Sequence, residues 1–369
     1  MVLDDLMERL RRTRLPDEVI VAQWDYGTNE TYLKELVDYW LNRFDWRTQE
    51  RAINSFAHYR ALVGESGIHF IYERGKGPDP LPLIITHGWP SSFFEMLKII
   101  PLLTDPANHG GDAADSFDVI VPSLPGYGFS DRPTKRGPRN THERWVQLMT
   151  GLGYERFAAL GGDVGAGVTS DLARRYPGRL LGIYLTSDVQ WPNPRPEVAD
   201  LSEEERDYLA RIERWEQEEG GYSHIQGTRP QTLAYGLNDS PVGLAAWIVE
   251  KFRAWSDCGS DVERRFTKDE LLTQVMIYWV TETMNSSIHG YYEGRHSSPS
   301  WRRGRIEVPT AVAATPEFPL DCVVPRTWVE RTYNLKCWTP MSQGGHFLAM
   351  EEPQRLVEDV RAFFRDVRP

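Results

Sequence analysis

Gly161-Gly162-Asp163-Val164-Gly165 sets one carboxylate among glycines. The apolar run 157–160 precedes it and a helical-looking stretch, 168–173, follows, so the spacing predicts a sharp strand-to-helix turn with Asp163 at its tip. Such a turn is strained, and the residues beside its tip must carry little bulk, which glycine supplies. A serine at the tip would attack a carbonyl carbon and form an acyl-enzyme. A carboxylate instead attacks a saturated, electrophilic carbon and forms an ester. The chemistry implied is the opening of an epoxide or the displacement of a halide, and no Gly-x-Ser-x-Gly occurs at such a turn to argue for an esterase.

An ester on Asp163 needs a base to activate water. His346, in Gln343-Gly344-Gly345-His346-Phe347, follows the last strand expected in the chain, and its glycines let a loop carry the imidazole over the sheet edge. The order nucleophile, acid, histidine is that of α/β-hydrolases. The acid that orients the imidazole should follow a strand over 308–314, where Glu317 and Asp321 compete. Asp188, after a strand ending at 186, is a third candidate. His87-Gly88-Trp89-Pro90 closes a strand beginning at 81, and in such sheets the loop there supplies a backbone N–H to an oxyanion hole. The pair would be the amides of Trp89 and Val164. Against these readings stand plainer ones: a half-buried loop histidine, a solvated loop carboxylate and an ordinary Gly-Pro turn.

The elements needed to position these groups are visible in the hydrophobic pattern. Strands over 81–87, 117–122, 157–162 and 180–186 alternate with helical stretches, which predicts a parallel, doubly wound α/β sheet. From 191 to 295 the rhythm breaks into Trp-, Glu- and Arg-rich helices, the pattern of a cap domain inserted in the sheet. Strand signals return over 308–314 and 335–341, before a closing helix over 353–364. The division expected is a helical N-terminal extension over 1–75 that wraps the core, core over 76–190, cap over 191–295 and core again over 296–369. Within the extension, 68–73 alternates as a strand.

Composition narrows the class. A chain of 369 residues with 40% hydrophobic and 26% charged residues suits a large globular enzyme. The net charge of −11, with no long Lys/Arg block, excludes a nucleic-acid surface. Thirteen Trp, sixteen Tyr and fourteen Phe suit an aromatic-lined pocket or a large core equally well. The three cysteines, Cys258, Cys322 and Cys337, lack metal-ligand or framework spacing, so no metal, no disulfide and a cytoplasmic setting are expected. Neither a secretory signal nor an apolar run of membrane-spanning length occurs. The N-terminal helices could brace the core or serve a homodimer interface.

Asp163 in its turn, His87-Gly88-Trp89-Pro90, and Gly344-Gly345-His346-Phe347 with Glu351-Glu352-Pro353 together resemble the epoxide hydrolases of the microsomal type, over nearly the whole chain. The segments 224–230 and 237–244 resemble that family's cap. The resemblance implies a small-molecule epoxide and water as reactants, a vicinal diol as product and no cofactor. It places the orienting acid two residues after a Phe-Pro pair, which favours Asp321 in Phe318-Pro319-Leu320-Asp321, although a few extra residues precede that pair. It also implies two cap tyrosines as donors to the epoxide oxygen, which by local match are Tyr222 and Tyr291, with Tyr292 a rival. A phenol suits that task because it stays protonated at neutral pH yet donates well to an alkoxide. Vertebrate members carry a membrane anchor; this chain begins at the extension and is closer to the soluble microbial ones. Two other readings use the same residues. A haloalkane or haloacid dehalogenase shares the Asp–His pair, with Trp89 able to donate to a halide, and an inactive hydrolase fold could serve as a binding protein.

Overall fold

The computed structural model describes the whole chain apart from residues 18, 20–22, 138, 187–188, 298–303, 317, 319–321 and 369. Three helices come first: α1 (Val2–Arg11), α2 (Glu30–Asn42) and α3 (Trp46–Ile53). Asn29 and Asp45 start the second and third by accepting the backbone N–H groups of Tyr32 and Arg47. The N-terminal segment is helical only to Ile53. Beyond it, β1 (His58–Val63) and β2 (Ser66–Glu73) form an antiparallel hairpin that belongs to the central sheet. The alternation of β2 is readable in the sequence. That of β1 is not, because it is an edge strand with Tyr59 and Leu62 exposed and so carries no clean buried face.

The sheet continues with β3 (Leu81–Thr86), β4 (Phe117–Pro122), β5 (Phe157–Gly162), β6 (Leu180–Thr186), β7 (Ile306–Ala314) and β8 (Tyr333–Pro340). The strand order is β1-β2-β4-β3-β5-β6-β7-β8, parallel from β4 onward, so the expected doubly wound sheet is present. Its register decides where chemistry can happen. Thr86 pairs with Gly161, Gly162 with Thr186, Thr186 with Ala313 and Ala314 with Pro340. The carboxyl ends of five strands therefore finish level, and the loops leaving them share the edge where such sheets bind ligands.

Helices α4 (Ile99–Thr104), α5 (Thr141–Gly151) and α6 (Val164–Arg175) alternate with the early strands. Between β6 and β7 the chain leaves the sheet for α7 (Glu203–Glu218), α8 (Gly221–Thr228), α9 (Pro230–Asp239), α10 (Pro241–Trp255), α11 (Lys268–Thr281) and α12 (Met284–Arg295). Capping boxes at Ser202/Glu205 and Thr267/Glu270 open α7 and α11. The chain closes with α13 (Arg326–Glu330), α14 (Leu348–Glu351) and α15 (Pro353–Val367). Helices α4 and α15 pack on each other and α6 runs along β3, β5, β6 and β7. Coverage of both faces explains why β3 to β6 are buried almost throughout.

The inserted helices are tied to the core and to the N-terminal helices. Arg331 donates to both carboxylate oxygens of the buried Glu205 at 2.7 Å, joining α7 to the turn after α13. The N-terminal helices pack on α10 and α11. Arg9 Nη1 donates to the Asp239 carboxylate at 2.6 Å, Thr28 Oγ1 to the Ala246 carbonyl at 2.8 Å, and the Tyr39 hydroxyl to Asp269 at 2.9 Å. Among the described residues no helix is long and apolar enough to cross a membrane.

Candidate active site

Asp163 stands between β5 and α6 with φ +52° and ψ −126°, a backbone region that non-glycine residues rarely occupy. The turn closes only because its flanks are bare. A Cβ on Gly161 would lie 2.3 Å from the Gly165 carbonyl oxygen, and one on Gly165 would lie 2.0 Å from that of Thr86. Because Thr86 is paired with Gly161, the loop leaving β3 arrives beside the tip of the turn. The Trp89 N–H donates to Asp163 Oδ1 at 2.8 Å and the Val164 N–H to the same oxygen at 2.5 Å. Oδ2 is turned toward His346, whose Nε2 is 3.7 Å away. The β3 loop is fixed in turn by His87, which is fully buried. Its Nε2 accepts the Leu124 N–H at 3.2 Å, so its Nδ1 carries the proton and donates to the Gly88 carbonyl at 2.9 Å. Burial pushes this imidazole down to about 4, so it stays neutral at pH 7.

The cap lays an aromatic cage over this pair. Tyr222, in the first turn of α8, stacks on Trp89 with ring centres 5.2 Å apart and planes 3° from parallel. Tyr291, on α12, meets Trp89 edge-on at 5.7 Å and Tyr222 at 5.9 Å. Burial, then the neighbouring Tyr222 and Asp163, holds the Tyr291 phenol well above its ordinary value, so it remains a proton donor. Tyr292 faces elsewhere: it stacks on His296 at 4.0 Å beneath the Arg136 guanidinium. Asp163, Tyr222 and Tyr291 open onto a cavity of about 600 Å³, walled on the core side by Leu124, Tyr127 and Val168.

His346 follows β8 in a loop that packs against Trp255, the last residue of α10. The His346 N–H donates to the Trp255 carbonyl at 2.9 Å and the two rings lie 5.1 Å apart. The three carboxylates considered for its partner, Asp321, Glu317 and Asp188, lie outside the described residues. The loop that bears two of them touches the cap, since Trp215 on α7 donates its indole N–H to the Phe318 carbonyl at 2.9 Å.

Comparison with known proteins accords with this arrangement. A family model described as the epoxide hydrolase N terminus matches residues 1–96, and one for the alpha/beta hydrolase fold matches residues 82–219. A provisionally named epoxide hydrolase of Stigmatella aurantiaca is 44% identical over 99% of this chain and 83% of its own length. Epoxide hydrolase 1 of Sus scrofa is 36% identical over 98% of this chain and 86% of its own. The solved structure of Aspergillus niger epoxide hydrolase superimposes with a TM-score of 0.86 at 30% identity, covering 99% of this chain and 94% of that one.

This chain belongs to the epoxide hydrolase family.

Trp255, Lys251 and Glu95, around the epoxide hydrolase centre, carry no motif of their own, and Glu351 entered the sequence reading only as part of the resemblance, with no role. Trp255 touches Tyr222 at 5.0 Å as well as His346, and so links cap and base. Lys251, one turn earlier on α10, is nearly buried and holds its ammonium 5.0 Å from the Tyr222 ring centre and 5.4 Å from that of Trp255. Glu95 lies buried below the β3 loop, accepts the Ser91 hydroxyl, and is pushed up to about 7 by burial. Glu351 is also buried and pushed up to about 7, against the pull of three backbone N–H groups and Arg265. Lys251 and Trp255 lie on a helix whose pattern reads simply as core, and burial of a lone Glu has no sequence signal. The high aromatic content was a hint, and Trp89, Tyr222, Trp255 and Tyr291 are the part of it spent here.

Proposed function

We propose that this epoxide hydrolase opens small apolar or aromatic epoxides to vicinal diols through a covalent ester on Asp163. What carries the reading is the division of labour between the two oxygens of that carboxylate. Oδ1 is engaged by the Trp89 and Val164 amides, and Oδ2 faces the imidazole. Oδ2 attacks a ring carbon and the bond from that carbon to the epoxide oxygen breaks, while Tyr222 and Tyr291 hydrogen-bond that oxygen and one of them gives it a proton, leaving a hydroxyalkyl ester and a tyrosinate. The ester carbonyl oxygen is then Oδ1, already in contact with two N–H donors. His346 takes a proton from water, the hydroxide adds to the carbonyl carbon, and the negative charge gathers on Oδ1. Collapse expels the diol as its alkoxide, which takes the proton held by His346; the acid proton left on Asp163 returns to the tyrosinate formed at ring opening and restores the carboxylate. Asp321 is the carboxylate we assign to orient the imidazole, with Glu317 its rival.

The reaction balances with an epoxide, water and these side chains alone, so no metal or organic cofactor enters it. Among the described residues no three His, Cys, Asp or Glu side chains cluster as a metal site would need. The reading extends to a cytoplasmic enzyme, supported by Cys258 and Cys337 standing as thiols. The aliphatic and aromatic walls of the cavity support the substrate class.

The test is a single turnover of styrene oxide in oxygen-18 water with enzyme in excess. The first diol is expected to lack the label, its new oxygen having come from Asp163, and the label should appear in the enzyme. Label in that first diol would mean direct attack by water and would remove Asp163 from the nucleophile's role. A chloroalkane offered in parallel is expected to release no chloride.

A further inference from the structure

The loop that presents His346 has no strand to pair with, yet four successive backbone N–H groups in it are all engaged. Gly344 donates to the Asp257 carboxylate at 3.1 Å, Gly345 to Glu351 Oε2 at 3.0 Å, His346 to the Trp255 carbonyl at 2.9 Å and Phe347 to Glu351 Oε1 at 3.0 Å. The same Glu351 carboxylate accepts the Asp257 N–H at 2.8 Å. One buried side chain thus grips the loop on either side of the histidine and also the segment that ends α10. The bond from Phe347 is local, since Phe347 precedes the short helix α14 that Glu351 closes. The bond to Asp257 is not local, since 94 residues separate the two.

The grip has little slack. A Cβ on Gly345 would come within 2.6 Å of the Trp255 carbonyl oxygen, so loop and segment lie in backbone contact. Arg265 completes the clamp by donating to the Asp257 carbonyl at 2.6 Å, its carboxylate at 2.5 Å and Glu352 at 2.7 Å, with Glu351 4.0 Å from the same guanidinium. An acceptor is needed at the centre, because three N–H donors converging on an apolar group would be buried unsatisfied.

We propose that Glu351 is a positioning residue for ester hydrolysis: its carboxylate fastens the His346 loop to the Trp255–Asp257 end of the cap and so holds the imidazole over Asp163. This rests on His346 being the base. Glu351 does not line the cavity onto which Asp163, Tyr222 and Tyr291 open, and its effect should fall on one half of the reaction. Asp163 is held by the sheet and by Trp89 and Val164, none of which Glu351 contacts, so ester formation does not depend on it. Water activation does, because a displacement of about 1 Å in a reacting group can cost on the order of 100-fold in rate.

The experiment is a single turnover of styrene oxide by Glu351→Gln, quenched in acid at intervals and read as intact protein mass. Ester formation is expected within about twofold of wild type, and ester decay roughly 30- to 100-fold slower. The ester should then accumulate, with kcat and KM falling together. Decay at the wild-type rate overturns the proposal, and so does equal slowing of both steps, which is what a merely structural role predicts. Where Glu351→Gln does not yield folded protein, Glu351→Asp is read the same way: it keeps the charge but is one methylene too short to reach all three N–H groups. Absence of any ester in the wild type would instead overturn the reading of Asp163, which separates the two failures.

Discussion

Nucleophile and base meet at one point but are held by different kinds of structure. Asp163 rides on a strand-to-helix turn between β5 and α6, and its place is dictated by sheet register and by glycines that let α6 approach β3. His346 rides on a loop whose hydrogen bonds run to the end of α10 and to Glu351. The first is set mainly by the core, with α11 bracing the β3 loop: Gln274 donates to the Pro90 carbonyl at 3.0 Å and the Tyr278 hydroxyl to that of Ser91 at 2.7 Å. The second is shared between core and cap, and the aromatic chain from His346 through Trp255 to Tyr222 makes the sharing physical. The place of the nucleophile is a property of the sheet; the place of the base is a property of a seam.

The sharpest way to break this comparison is to remove each partner. Asp163→Ala is expected to form no ester and to lose about 10⁴-fold or more in turnover. His346→Gln is expected to form the ester at a near-normal rate and hold it, with hydrolysis down about 10²- to 10⁴-fold. Intact mass after mixing with styrene oxide distinguishes the two. An ester in the first variant, or none in the second, would dissolve the division between core and seam.

A smaller effect is expected at the roof. Tyr222→Phe and Tyr291→Phe should each slow ester formation by about 10- to 100-fold, since one phenol is left to donate. Decay of the ester, once formed, should be close to wild type in both. Tyr292→Phe should leave both steps unchanged, because that ring packs on His296. Rapid-quench measurement of ester formation and decay checks all three.

The smallest effect is in stability. His87 is pushed down to about 4 by burial, below its ordinary 6.5, so its neutral form contributes stability that is fully present above 6.5 and is lost as pH falls through 4. The loss at pH 4 is roughly 3 kcal/mol. Glu95 and Glu351, pushed up to about 7, act in the opposite sense between pH 7 and their ordinary 4.5. The informative quantity is therefore the difference in denaturation midpoint between wild type and His87→Asn, which should narrow as pH falls from 6.5 to 4. A difference that stays constant would mean that His87 is not held neutral in the β3 loop.

What the sequence made legible follows the same line between core and seam. The runs 117–122, 157–162 and 180–186 coincide with β4, β5 and β6, because strands buried on both faces read as unbroken apolar runs. Asp163, Trp89 and Val164 were readable for the same reason, since strand ends locate the turns. His346 was readable from its glycines and its place after the last strand. Tyr222 and Tyr291 were reached only through family resemblance, as a tyrosine on a helix looks the same whether it faces a pocket or a core. Edge strand β1 left no alternation to find, and the engagement of Glu351 with Asp257 depends on a contact across 94 residues that no local pattern encodes. The choice among Asp321, Glu317 and Asp188 rests where the sequence left it.

The ties from Arg9, Thr28 and Tyr39 to the cap have a consequence for traffic. They tie α9, α10 and α11 to the first forty residues, so any outward movement of these three helices must carry the N-terminal helices with it. The room a substrate finds is then set by the side chains that wall the cavity. Size selection can be retuned there, at a residue such as Val168, without touching the turn that holds Asp163 or the seam that holds His346.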